Sequence, residues 1–66
     1  MDTIQLFSKV KLIRDIPDAG LTAGMEGWVV EVLDDTHYEV EFSDAKGNTI
    51  YIGAIEAGLL YTSTHE

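Results

Sequence analysis

The sequence predicts an all-β fold: a small SH3-like five-stranded antiparallel barrel with a long first loop and one 3₁₀ turn before the last strand. Two observations carry this. Apolar and polar residues alternate at period two in several short segments, and the glycines fall singly at positions 20, 24, 27, 47, 53 and 58, punctuating those segments. Strand pairing that curls such a sheet on itself leaves little edge exposed.

The first strand is expected over residues 8–14, with Val10 and Leu12 on one face and Lys9, Lys11 and Ile13 on the other. Residues 15–25 hold the only proline, the turn formers Asp15, Asp18 and Gly20, and Gly24. They read as one long loop anchored by Leu21. From Gly27 the chain runs Trp28, Val29, Val30, Glu31, Val32, Leu33, a β-branched stretch whose period-two inner face is Trp28, Val30 and Val32. Gly24 and Gly27 turn the chain sharply into it. Residues 37–42 alternate strictly, with Tyr38, Val40 and Phe42 inward and His37, Glu39 and Glu41 outward. Asp44-Ala45-Lys46-Gly47-Asn48 forms a turn with Gly47 suited to positive φ. The fourth strand covers residues 49–53 with Ile50 and Ile52 inward and Tyr51 outward; residues 54–58 make a 3₁₀ turn and residues 59–62 the last strand.

Parity fixes the register of the central hairpin. If Val32 and Tyr38 both face the core they stand opposite one another, which pairs Val30 with Val40, Trp28 with Phe42 and Glu31 with Glu39. Two like charges then oppose each other, with Glu41 diagonally in reach, and folding does not need them. A bulge in the loop at residues 33–37, which lacks an Asn-Gly or Asp-Gly signal, would shift this register and undo the pairing.

Sixty-six residues allow one domain, with an ordered core over about 8–62 and frayed ends. Twelve acidic residues against four basic ones give a net charge of −8, which repels phosphate backbones and anionic lipid. Nucleic acid and membrane are therefore poor partners. Absence of cysteine excludes disulfides, zinc-thiolate sites and a cysteine nucleophile. No signal-peptide pattern opens the chain and no apolar run spans a bilayer, so a cytoplasmic protein is expected, as a monomer or weak homo-oligomer.

In Gly24-Met25-Glu26-Gly27, Val29-Val30-Glu31-Val32, Tyr38-Glu39-Val40-Glu41-Phe42, Asp44 and Gly47, the sequence resembles a group of small bacterial proteins that share a domain of unknown function. Val10-Lys11-Leu12 and Asp15-Ile16-Pro17-Asp18-Ala19-Gly20-Leu21 extend the likeness over residues 8 to 60. It is also similar to the wider KOW and SH3-like barrels. The resemblance implies the barrel and no activity. Trp28 departs from the small or hydroxyl residue that the pattern implies, so it either fills the core or stands at a barrel mouth as a binding platform.

Catalytic chemistry is sparse. His37 and His65 lie beside a turn and near the chain's end, no nucleophile has a base at useful spacing, and no glycine-rich loop with a lysine cradles phosphate. Asp34, Asp35 and Asp44 match no calcium loop and read as capping groups. No enzyme activity, cofactor or metal is expected. The candidate site is the acidic patch of Glu31, Glu39 and Glu41, flanked by His37, Tyr51 and Trp28, facing a basic protein surface. The function this implies is a protein-binding module that masks that surface, as an antitoxin, immunity protein, nucleic-acid mimic, inhibitor or accessory subunit does. The alternatives are a KOW-type RNA- or ribosome-associated barrel using Lys9, Lys11, Arg14 and Trp28, and a self-associating structural domain.

Overall fold

The computed structural model describes residues 4–62, so His65 lies outside them, and residues 4–7, expected with the frayed ends, are tied to the sheet by Phe7 N donating to Val29 O. Five antiparallel strands, β1 (Lys9–Leu12), β2 (Glu26–Val32), β3 (His37–Ser43), β4 (Thr49–Glu56) and β5 (Leu60–Thr62), form one sheet in the order β4-β3-β2-β1-β5. The chain meanders through four neighbours, and β5 then returns to pair with β1. No ladder joins β4 to β5, so pairing does not close the sheet into a barrel.

One face of the sheet carries the core. Val10, Leu12, Val29, Tyr38, Val40, Phe42, Ile55 and Leu60 are buried there, with Leu21 contributed by the long loop. Leu21 reaches the core because the loop folds back on itself. Ile16 and Leu21 form an isolated bridge around a 3₁₀ turn at Pro17–Ala19, where proline occupies a first-turn position that needs no N–H. That turn has no counterpart in the sequence reading. The loop's exit is held by Gly24 N donating to Leu12 O at 2.7 Å and Leu12 N to Met25 O at 2.9 Å.

β2 enters the core in the opposite phase to the one its hydrophobicity suggests. Gly27 and Val29 are buried, whereas Trp28 is exposed. The ladder pairs Gly27 with Phe42, Trp28 with Glu41 and Val29 with Val40, then resumes as Glu31 with Glu39 and Val32 with Tyr38. Val30 is thus the extra residue of a β-bulge, which reverses the phase at mid-strand. The expected pairs Glu31–Glu39 and Val32–Tyr38 are formed. Val30–Val40 and Trp28–Phe42 are not, and Val32 stays about half exposed despite its expected inward face.

A second bulge does the same to β4. Phe42 pairs with Tyr51 and Ser43 with Thr49, leaving Ile50 over, so Tyr51 turns to the core side while Ile50 and Ile52 are exposed. The Tyr51 and Phe42 rings lie 6.4 Å apart between centroids. β4 also runs on to Glu56 and buries Ile55, which delays the 3₁₀ turn to Ala57–Leu59. Ala57 N donates to Thr36 O at 2.7 Å, tying that turn to the β2–β3 loop.

Candidate functional site

The register aligns side chains into rows across the outer face. Lys9, Trp28, Glu41 and Ile52 form one row from β1 to β4. Glu31, Glu39 and Ala54 form the next, and Tyr61, Lys11 and Glu26 a third on the other side. The face is therefore graded, with lysines over β1, Trp28 at its middle and glutamates over β2 and β3.

Charge is handled differently along this gradient. Lys9 Nζ lies 3.3 Å from Glu26 Oε1 and 5.7 Å from the centroid of Trp28, so its cation is shared between a carboxylate and a ring face. Glu41 accepts a hydrogen bond from the Thr49 hydroxyl. Glu31 and Glu39 stand directly opposite each other, and among the described residues neither forms an ion pair. Like charges so placed oppose pairing, and among the described residues no ion pair offsets them.

Trp28 retains 48% of its accessible surface, a large amphipathic ring exposed between a lysine and a glutamate. The expectation that it fills the core is overturned. Gly27 occupies the core position instead, because Phe42 already fills that volume: a Cβ on Gly27 would come within 2.9 Å of Phe42 Cδ1. Tyr51, expected on the outer face, lies on the core side and is withdrawn from the patch by the Ile50 bulge. Five of the six expected site residues, Trp28, Glu31, His37, Glu39 and Glu41, thus share the outer face, and Tyr51 does not.

His37 opens β3 and is bound to the hairpin loop. Its Nδ1 lies 2.8 Å from Thr36 Oγ1 and 3.2 Å from Asp34 Oδ1. Asp34 Oδ1 also accepts the N–H groups of Thr36 and His37, each at 2.8 Å, and so supplies the turn chemistry that an Asn-Gly pair supplies elsewhere. The Thr36 N–H above all holds the Asp34 carboxyl below its ordinary 3.8, against a partial desolvation that raises it. In the β3–β4 turn Asp44 accepts from Asn48 N and Lys46 N at 2.9 Å each, and the Asn48 N–H foremost holds its carboxyl low. Both aspartates are spent on turns. Among the described residues no three acidic or histidine side chains gather as metal ligands.

Sequence reasoning missed the Glu26–Lys9–Trp28 arrangement. Its signal was Gly27: counted as a core position, it puts Trp28 outward beside Lys9. A shallow cleft of about 110 Å³ opens between Lys9, Val10, Lys11, Glu26 and Tyr61. That is well below the roughly 300 Å³ at which small-molecule pockets begin. No helix among the described residues is long and apolar enough to cross a membrane.

No match is found among curated proteins or among solved structures. A family model described as Domain of unknown function (DUF4926) matches residues 6–60, from ahead of β1 to the first residue of β5, and the chain belongs to this family.

Proposed function

We propose that the protein is a non-enzymatic binding module whose outer sheet face docks on a basic surface of a partner protein and masks it. The observation that carries this reading is the direct opposition of Glu31 and Glu39 beside the exposed Trp28. A partner's lysines or arginines placed between the two carboxylates relieve a repulsion that folding leaves in place, and Trp28 adds the desolvated aromatic contact typical of binding anchors. The net charge of −8 speeds encounter with such a surface. Function of the antitoxin, immunity, inhibitor or accessory-subunit kind follows from masking alone. The scaffold is read as an opened SH3-like barrel, a reading supported by the meander, the return of β5 beside β1 and the 3₁₀ turn before it.

Affinity capture from lysate at moderate salt tests this, with the wild type beside a Glu31/Glu39/Glu41 to Gln variant and a Trp28→Ala variant. Stoichiometric recovery of a basic protein by the wild type, lost in both variants, is the expected result. Equal recovery by all three sinks the proposal. A second reading, a KOW-type RNA-associated barrel, draws on Lys9 beside Trp28 and Lys11 beside Tyr61. RNA recovered by the wild type and lost on Lys9→Ala and Lys11→Ala would favour it.

A further inference from the structure

β4 is the long free edge of the sheet. Its ladder partner is β3 alone, and among the described residues no other segment hydrogen-bonds along its outer side. The opposite edge, β5, has only three residues, whereas β4 has eight, Thr49-Ile50-Tyr51-Ile52-Gly53-Ala54-Ile55-Glu56. Edge strands are normally protected by charge, proline, shortness, cover or a bulge, and the Ile50 bulge guards only the first residues of this one. This one contains neither lysine nor proline, and Ile52 on its outer face is 51% exposed.

The geometry points to a second copy of this chain as the occupant, paired antiparallel through β4 about a twofold axis at Gly53. The Ile50 bulge ends the regular ladder at Tyr51, from which it runs to Glu56, and a twofold at Gly53 overlaps Tyr51 to Ile55 of the two copies. Pairing about that residue sets Ile52 against the mate's Ala54 on the outer face and Tyr51 against its Ile55 on the core face. Directly opposed residues thereby share a face, as antiparallel pairing requires. The half-buried Tyr51 gains cover, and two five-stranded cores become one continuous sheet.

Charge does not bar pairing through this edge. Two copies at −8 repel, yet β4 has one charged residue, Glu56, at its far end. In the twofold register Glu56 meets the mate's Ile50, near the turn that bears Lys46, so no carboxylate opposes another. The outer glutamate patch and Trp28 lie on other strands and stay free, which makes this pairing independent of partner docking by that face.

Sedimentation and light scattering of the wild type across concentration and salt test the proposal. A monomer–dimer equilibrium is expected, strengthened by salt because screening weakens the general repulsion. Ile52→Lys, whose lysine in the monomer stands opposite Glu41, is expected to weaken dimerisation by about tenfold or more. Trp28→Ala is expected to leave it unchanged. Independently of any variant, protection of β4 amides from exchange should rise with wild-type concentration. Purely monomeric protein up to about 1 mM at high salt, or a dimer that tolerates Ile52→Lys and is lost with Trp28→Ala, overturns it.

Discussion

Gly27 stands directly opposite Phe42 with no space between them: a Cβ on Gly27 would lie 2.9 Å from Phe42 Cδ1, 2.9 Å from Val40 Cγ1 and 2.7 Å from the Glu41 carbonyl oxygen. Two of those neighbours are fully buried side chains and the third is backbone, so none can swing aside into solvent. Gly27→Ala therefore overpacks the sheet and is expected to cost about 1–3 kcal/mol. Urea unfolding checks this. A cost below about 0.5 kcal/mol would mean that β2 slides relative to β3 more readily than a packed core allows.

Phe7 shows local strain of the opposite kind. Its φ is 67° and its side chain is 70% exposed, so a large residue occupies left-handed backbone with little burial in return. Its N–H donates to Val29 O at 2.6 Å, which fixes the conformation. Asparagine tolerates this region better, and Phe7→Asn is expected to raise stability by about 0.5–1 kcal/mol. Destabilisation by the same measure would show that the ring contributes packing worth more than the strain.

The two turn aspartates are expected to contribute to the acid sensitivity of the fold. Their carboxyls titrate below 3.8 in the folded chain because turn N–H groups favour the charged form. The unfolded chain then binds protons first as pH falls, so their contribution is present above the unfolded value and is lost as pH drops through the folded one. Thermal unfolding between pH 5 and about 2 is expected to steepen below pH 4, and an Asp34→Asn/Asp44→Asn double variant to flatten that limb. Asparagine Oδ1 still accepts the backbone N–H groups of both turns, and of the side-chain bonds only the one that Asn48 Nδ2 donates to Asp44 Oδ2 is lost. An unchanged acid limb in the double variant would place the acid sensitivity elsewhere.

Period-two patterning made most of this architecture readable: the inner faces of β1 and β3 and the Glu31–Glu39 pair followed from alternation and parity, and the Leu21 anchor from an apolar residue set among turn formers. What it could not reach were the two bulges. A bulge inserts one residue without a compulsory sequence mark, and each changed phase where hydrophobicity argued otherwise. Counting Trp28 and Ile52 as core residues is reasonable by size, yet Gly27 and the Tyr51 ring had already taken the space. Gly53 carries the trace of the second case, since a Cβ there would lie 2.5 Å from the Tyr51 hydroxyl. In both strands a glycine sits on the core face where a neighbouring aromatic leaves no room for a side chain. That is a signal a reading by hydrophobic period discards.

Glu31 offers the sharpest separation of folding from function. It faces Glu39 without a cation, so Glu31→Lys replaces a repulsive cross-strand pair with an attractive one and is expected to stabilise the fold by a few tenths to about 1 kcal/mol. The gain should shrink in high salt, since the pair is exposed and screened. If the face docks on a basic partner, the same variant puts a cation into the interface and weakens capture at least about tenfold, mostly through the like-charge cost on that partner. Greater stability together with lost binding is the pattern of a residue kept for recognition at a cost to folding. A variant that is more stable and binds as before would assign Glu31 to the solvated surface and leave Trp28 to carry the interaction.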